Sequence, residues 1–567
     1  MAEQTTLPSH IAIQFEPEGY VLDGPKLMGR QAAGNAFLRA AIDGRGDAPM
    51  VAYAPNKRSA EVFHQLVTAQ DPSAAVDWIP YDRTDLLRRA GVLYLPGPSL
   101  PEAARLRLRA GYDAYSILGV THTTASHAAM DAIRDLIHSP VAPWDALICT
   151  SQAVAGTLKA VLEEALAQLR WRTQSAAAVA LPQFPIIPLG VHCDDFADNA
   201  AARVDARTQW EIGPDAIALL FVGRLSFHAK AHPHQMYLAL QALAEQTGKE
   251  VVLIQCGWFA NAAIERAYAS AAQETCPSVR MLFVDGKDPA LRARCWAAAD
   301  IFVSLSDNIQ ETFGLTPVEA MAAGLPVVVS DWDGYKDTIR DGVDGFRIRT
   351  WMPPAGLGAG FARAHEAGTE TYDMYCGLTC QTVSVDQREL VSRLVDLASQ
   401  PALRQRMGAA GRARAVEAYD WKVIYRTYKD LAVQLAEIRT RAGADEDWKR
   451  RIAAAPRADA ARLDPFMTFG HYATSQIDLT ALVEVTPGAS RTAYEAIAAQ
   501  AIFKYAAKVF PSAADAERIF EALRERAMAV EALSNELGVA PGSLILMLSI
   551  LAKMDLVRLY KQSAAPR

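Results

Sequence analysis

The chain has 567 residues, with 57 Lys+Arg against 64 Asp+Glu and a net charge of −7; that balance argues against a general nucleic-acid binder. Hydrophobic residues are 51% and charged residues 21%, enough to bury large cores and unlike the profile of disordered chains, and at roughly 100–200 residues per domain the length predicts three or four domains. The longest apolar runs, such as Leu544-Ile545-Leu546-Met547-Leu548, fall far short of the roughly 20 residues a membrane span needs. The start, MAEQTTLPSHIAIQFEPEGY, lacks the pattern of a secretory signal, so a cytoplasmic protein is expected, with peripheral contact at the inner face of a membrane as the variant. Seven cysteines spread thinly predict reduced thiols, and Cys376 and Cys380 are read as ordinary free thiols because no second pair of metal ligands stands near them.

Between residues 11 and 155 the segments IAIQF, MVAYAP, VLYLP, ILGVTH and ALICTS read as buried strands. Stretches of helical spacing such as NAFLRAAI and AAMDAIRDLI lie between them. A second series follows: ALLFVG, EVVLIQCG, VRMLFVDG, DIFVSLS, LPVVVSD and DGFRIR, with helices such as HQMYLALQALAEQ and PVEAMAAG between them. Alternation of this kind predicts two Rossmann-like, doubly wound α/β domains. The join falls near residues 181–213, where a hinge leaves a cleft between the domains. Ligands of such sheets bind beyond the carboxyl ends of the strands. Residues 402–440 read as one or two long helices, 441–463 as an Ala- and charge-rich linker, and the rest as a separate, mostly helical module.

The loop FVGRLSFHAKAHPHQ places Arg224 and Lys230 just beyond Gly223 at a strand end. A planar guanidinium fork and a mobile ammonium there suit a pyrophosphate, although solvated loop cations are the plainer reading. His228, His232 and His234 crowd the same loop, but Pro233 breaks helical pairing and no carboxylate or cysteine stands beside them, so no metal site is expected. Further on, Glu311 lies in a loop after DIFVSLS, and Glu319 lies on a helix that begins near Pro317. The run Thr312-Phe313-Gly314-Leu315-Thr316 leads into that helix, so the amides of Gly314, Leu315 and Thr316 face the cleft as anion donors. Glu319 is then placed for the vicinal hydroxyls of a ribose and Glu311 for a sugar.

With Gly223-Arg224-Leu225, Lys230, Glu311-x7-Glu319 within ETFGLTPVEAMAAGLPVVVSD, and DGVDGF at 341–346, the sequence resembles retaining glycosyltransferases of family 4, which have the GT-B architecture. The resemblance covers most of residues 215–350 and extends more weakly to GAAGRARAVEAYDWKVIYRTY at 408–428. It implies residues 1–205 as an acceptor-side domain, with helix 402–440 packing back on it, residues 206–400 as a nucleotide-sugar domain, and 441–567 as linker and helical extension, winged-helix-like at its end. It also implies that Glu311 meets the donor sugar, Glu319 the ribose, and Arg224 and Lys230 the diphosphate. Val284-Asp285-Gly286 then borders the base, with Gly257 as a lining residue. Ala231 stands where the family commonly has Gly after the lysine, with the loop about one residue longer. Asp331-Trp332-Asp333-Gly334 replaces the usual Gly-Gly, bringing aromatic and acidic groups to the sugar site.

In the first domain, Gly24, Gly29 and Gly34 surround the turn after the first strand, and Gly29, beside Arg30, is the candidate for close approach of the donor. His122, straight after a strand, resembles the family's histidine at the donor sugar, with His127 as the competing candidate. Thr121, Thr123 and Ser126 add hydroxyls near it, and Ser151 faces the acceptor. Arg88, Arg89, Arg105, Arg107 and Arg109 are read as solvated, since side chains two apart splay around a helix.

The mechanism implied by the resemblance is front-face attack, with the departing diphosphate oxygen taking the acceptor's proton and with no metal or further cofactor. Arg224, Lys230 and the helix N-terminus hold the diphosphate while Glu311 and His122 orient the sugar. The donor is a UDP- or GDP-sugar; the acceptor is a glycan, lipid-linked, protein or small-molecule hydroxyl. The tail segment AVEALSNELGVAPGSLILMLSILAKMDLVRLY resembles a winged helix-turn-helix, yet Pro541 to Leu551 contains no Lys or Arg, so self- or protein association through 465–567 is favoured over DNA. The alternatives are a nucleotide-sugar epimerase of the same architecture, a glycan phosphorylase, for which no cofactor lysine is identified, and a non-catalytic assembly protein.

Overall fold

The computed structural model describes residues 10–22, 29–176, 178–196 and 200–561. The chain divides into two compact units, Met1–Asp459 and Ala460–Arg567. The first unit holds two six-stranded parallel sheets. Strands β1 (His10–Gln14), β2 (Met50–Ala54), β3 (Val76–Pro80), β4 (Gly91–Leu95), β5 (Ser116–Val120) and β6 (Ala146–Ile148) take the order β3-β2-β1-β4-β5-β6. Strands β7 (Ile217–Val222), β8 (Val251–Gly257), β9 (Val279–Asp285), β10 (Ile301–Ser304), β11 (Val327–Ser330) and β12 (Gly345–Ile348) take the order β12-β11-β10-β7-β8-β9. Each is the doubly wound order, with its switch point between the first and fourth strands of the set, which is where such sheets open a crevice. Strands β4, β5, β7 and β8 are buried at every residue, as sheets covered by helices on both faces require. Sequence reading missed β3 because Asp77 and Trp78 are exposed and Pro80 ends it. It is an edge strand, and edge positions lack the continuous apolar run.

Helix α1 (Gly29–Gly44) follows β1, α2 (His127–Asp135) follows β5 and α3 (Gln152–Thr173) follows β6. In the second sheet α4 (Pro289–Ala298) follows β9, and α5 (Leu315–Ala322) follows β10. A short hairpin of β13 (Thr350–Trp351) and β14 (Ser384–Val385) sends out α6 (Ala359–Glu366) and α7 (Tyr372–Cys380) between its strands. Helix α8 (Pro401–Arg414) packs on the second domain: Gly408 meets the backbone of Gly324 and Arg414 pairs with Asp344. After a wide turn over Ala415–Tyr419, α9 (Trp421–Ala444) lies on the first domain. Trp421, Tyr425 and Tyr428 surround Phe37, which stacks on Tyr94 at 3.9 Å. The two doubly wound domains and this crossing pair of helices make the GT-B arrangement.

Two expectations are corrected here. The stretch 441–463 does not begin as a linker: α9 runs to Ala444, and α10 (Glu446–Ala453) sets the half-buried Trp448 against the buried Trp144 at 5.3 Å, an aromatic contact that holds the otherwise polar segment to the first unit. Arg107 is not solvated but fully buried, donating to Asp145 at 2.5 and 2.9 Å and to the carbonyls of Tyr115 and Pro140. Arg105 pairs with Asp135 and Asp459.

The second unit joins β15 (Leu482–Val485), β16 (Met528–Ala529) and β17 (Val557–Tyr560) in an antiparallel sheet of order β16-β15-β17. Helices α11 (Ala513–Ala522), α12 (Val530–Leu537) and α13 (Pro541–Lys553) cover it, and Val483, Ile519, Leu533, Leu544, Leu548 and Leu551 form its core. Helices α12 and α13 meet at 110°, a helix-turn-helix followed by a strand. No single helix among the described residues is long and apolar enough to cross a membrane.

Candidate active site

The site lies at the switch point of the second sheet, where β7 and β10 run side by side. Their carboxyl ends carry the loops with Arg224–Lys230 and Asp307–Phe313. The floor is bare backbone. Gly257 ends β8 so close to Gly223 that a Cβ would overlap the Gly223 carbonyl, and Gly286 donates its amide to the Gly257 carbonyl at 2.9 Å. Val284 and Gly286 thus sit beside Gly257 and Gly223 at three adjacent strand ends.

Lys230 Nζ reaches Glu311 Oε2 at 2.5 Å, and both side chains are largely covered. Burial opposes ionisation of Glu311. The charge and hydrogen bond of Lys230, with the amides of Thr312 and Phe313, outweigh it and hold the carboxyl below its ordinary value. Arg224 is half-buried and donates to the Ala229 carbonyl at 3.1 Å, which spans its own loop. Asn308 fixes that loop from below, donating to the His228 carbonyl at 2.9 Å. Asp307 accepts the His232 amide, and burial pushes its carboxyl up to about 7.

Helix α5 begins at Leu315 with Gly314 as its N-cap, two residues before the start expected at Pro317. The cause is Gly314 itself: its φ of +83° is open to glycine, and a Cβ there would overlap the Tyr335 ring. Phe313 is buried and packs toward Tyr419, while Leu315 and Thr316 are half-buried at the helix entrance. The first amides of a helix have no partner within it, so this end attracts anions. Glu319 lies one turn further on. Burial pushes its carboxyl up to about 7, against the pull of Arg292 and Lys230. Arg292, on α4, donates to the Gly286 carbonyl at 3.2 Å. It is a third cation at the site, unmarked in the sequence because it sits mid-helix among ordinary surface residues.

The first domain closes on this site through named contacts. Thr312 Oγ1 donates to the His122 carbonyl at 3.1 Å, and Thr150 Oγ1 to the Thr312 carbonyl at 3.4 Å. Ser151 Oγ lies 3.5 Å from Asp333 Oδ1, and the Gln152 amide donates to Asp337 Oδ2 at 2.6 Å at the start of α3. His122 is half-buried at this seam. His127 faces elsewhere: its ring stacks on His365 of α6 at 3.8 Å, and His365 stacks on Tyr375 of α7. Gly29 opens α1, Gly34 packs where a Cβ would meet the Gly19 carbonyl, and Gly24 lies outside the described residues. No group of three or more metal-ligating side chains occurs among the described residues.

The family model described as "Glycosyl transferases group 1" matches residues 203–352. Among curated proteins, the chain is 33% identical over 162 residues to a phosphatidyl-myo-inositol mannosyltransferase of Mycobacterium leprae, covering 28% of this chain and 33% of that one. It is 28% identical over 276 residues to a protein of the same name from Mycobacterium tuberculosis, covering 48% and 59%. The chain thus spans between a third and three fifths of the length of these relatives. Among solved structures, HepE of Anabaena in complex with UDP and glucose aligns over 74% of this chain and 98% of its own, with 16% identity and a TM-score of 0.46. The segment that carries Gly223, Arg224, Lys230, Glu311 and Glu319 on the second doubly wound sheet is thus similar to the group 1 glycosyl transferases.

Proposed function

We propose that the chain is a retaining hexosyltransferase that moves a sugar from a nucleoside-diphosphate donor to a hydroxyl acceptor. The observation that carries this reading is the meeting of Lys230 with Glu311 at the entrance of α5, with Arg224 on the same strand-end loop as Lys230. Two cations and a set of helix amides suit the two negative charges that grow on a departing diphosphate. Glu319, one turn inside α5, is placed for the ribose hydroxyls, and the bare backbone at Gly223, Gly257 and Gly286 lets a flat base approach. Glu311, kept ionised by Lys230, faces the sugar, whose positive character rises as the bond to phosphate lengthens. His122 meets the same sugar from the first domain.

Glu311 is ion-paired to Lys230 and so is poorly suited to attack as a nucleophile. Departure of the diphosphate and arrival of the acceptor on one face, with the diphosphate oxygen taking the acceptor's proton, needs positioning and electrostatics from the protein. Retention follows from that geometry. The names of the relatives suggest mannosyl donors and inositol-bearing acceptors, so GDP-mannose, UDP-glucose and myo-inositol phosphates open the panel. Calorimetric titration with UDP and with GDP tests the reading. One nucleotide is expected to bind, and Glu319→Ala to weaken it by about tenfold or more through loss of its hydrogen bonds to the ribose hydroxyls. Failure of both nucleotides to bind the wild-type chain would overturn it.

A further inference from the structure

Asp333 is held in an unusual way. Among the described residues, four that are not glycine have a positive φ: Gln174, Glu211, Asp333 and Asp555. Gln174, Glu211 and Asp555 each follow the end of a helix, where left-handed backbone is ordinary. Asp333, at φ +46°, instead lies in the loop after β11, in the seam between the two doubly wound domains. Strain at a non-glycine residue is retained where the surroundings impose it and clusters at functional sites. Here they do impose it: the Trp332 indole donates to the Asn308 carbonyl at 3.1 Å, and a Cβ on Gly334 would collide with the backbone of Phe313.

The carboxyl so placed is underused. Its Oδ1 has the Ser151 hydroxyl at 3.5 Å, the outer edge of hydrogen bonding, and its Oδ2 is buried without a partner. Buried polar atoms without partners are rare in folded proteins. Burial, then the nearby charge of Glu311, pushes the Asp333 carboxyl up to about 8. At neutral pH it is therefore an uncharged acid with one O–H to donate and lone pairs to accept. A carboxylate would repel a diphosphate; a neutral acid beside Glu311 is suited to a hydroxyl.

We propose that Asp333 is a specificity-determining residue that reads a hydroxyl of the transferred sugar, displacing its long contact with Ser151. The inference rests on the transferase reading above. It assigns the sugar and not the nucleotide, because the base and ribose side of the crevice belongs to Val284, Gly286 and Glu319, whereas Asp333 couples to Glu311. It assigns the donor and not the acceptor, because the loop that carries it is anchored to Asn308, on the donor-side loop of Glu311.

The test is calorimetric titration of the full chain, as wild type, Asp333→Gly and Asp333→Asn. The probes are UDP, GDP, and the epimer pairs UDP-glucose with UDP-galactose and GDP-mannose with GDP-glucose. Glycine adopts the left-handed backbone without strain, so Asp333→Gly is expected to keep the fold and to melt no lower than wild type. The nucleoside diphosphate is expected to bind all three chains within about twofold. The preferred nucleotide sugar is expected to bind Asp333→Gly about ten- to a hundredfold more weakly, with the preference between epimers collapsing toward unity. An unchanged epimer preference would overturn the inference while nucleotide binding keeps the transferase reading standing. A loss confined to the KM of the acceptor would overturn the donor assignment. If neither nucleotide binds wild type, both readings fall together.

Discussion

Lys230 and Glu311 lie 2.5 Å apart in a crevice that covers most of both side chains, and Glu311 draws on Lys230 to stay charged. Removing Lys230 leaves burial opposed only by the amides of Thr312 and Phe313, so the Glu311 carboxyl should titrate at higher pH. The acid limb of the kcat/KM profile of Lys230→Ala should move upward, and a limb that stays in place would show that Glu311 is not the group seen there. Arg224 donates its hydrogen bond within its own loop, so Arg224→Ala is expected to reduce turnover by about a hundredfold or more while leaving the melting temperature within a degree or two. Asp333 makes a pH prediction of opposite sign to a salt-bridged carboxylate. Its carboxyl is raised from an ordinary 3.8 to about 8, so between those values the folded chain holds a proton that the unfolded chain has lost. Stability from this group is greatest below about pH 4 and declines as pH rises toward 8. The melting temperature of Asp333→Asn minus that of wild type should therefore grow over that window, and a flat difference would refute the assignment.

At the scale of elements, α5 is set by one glycine. Gly314→Ala would force a side chain onto a φ of +83° and into the Tyr335 ring, at a cost of about 1–3 kcal/mol for the strain alone. Urea unfolding should show the lower midpoint, and donor binding should weaken further because the helix amides shift. Helix α4 joins the site through tertiary structure alone: its packing beside β9 brings Arg292 to the Gly286 carbonyl. Helix α9 is the reverse case. Its aromatic residues Trp421, Tyr425 and Tyr428 are visible in the sequence at spacings of four and three. That they surround Phe37, almost four hundred residues away along the chain, is a fact of tertiary structure.

For the molecule as a whole, the first unit is stapled across the segment of β5 and α2 by the buried pair of Arg107 and Asp145, whose carboxylate also accepts the amides of Ile117 and Ala142. Asp145→Asn leaves a guanidinium buried without its counter-charge, and such breaks cost about 3–5 kcal/mol. Thermal unfolding followed by fluorescence should show the loss in the first unit. The transition of the second unit, with its own core around Val483, Leu533 and Leu548, should stay in place. A shift of both together would mean that the two units unfold as one.

The sequence by itself determined the two sets of parallel strands, because residues covered on both faces must be apolar, and eleven of the twelve core strands are legible from apolar runs, although Arg280 and Arg347 interrupt β9 and β12 at the sheet edges. The exception, β3, is an edge strand with exposed Asp77 and Trp78. It also determined the chemical character of the crevice, since Arg224, Lys230 and Glu311 stand in loops at strand ends whose direction the alternation fixes, with Glu319 one turn into the helix that follows. Tertiary structure alone decided that Lys230 and Glu311 meet, that Arg107 is buried instead of solvated, that α10 belongs with the first unit, that His127 stacks on His365, and that Asp333 occupies left-handed backbone at the domain seam. These depend on contacts between residues far apart in sequence, whose burial and charge are properties of the neighbours and not of the residues' own types.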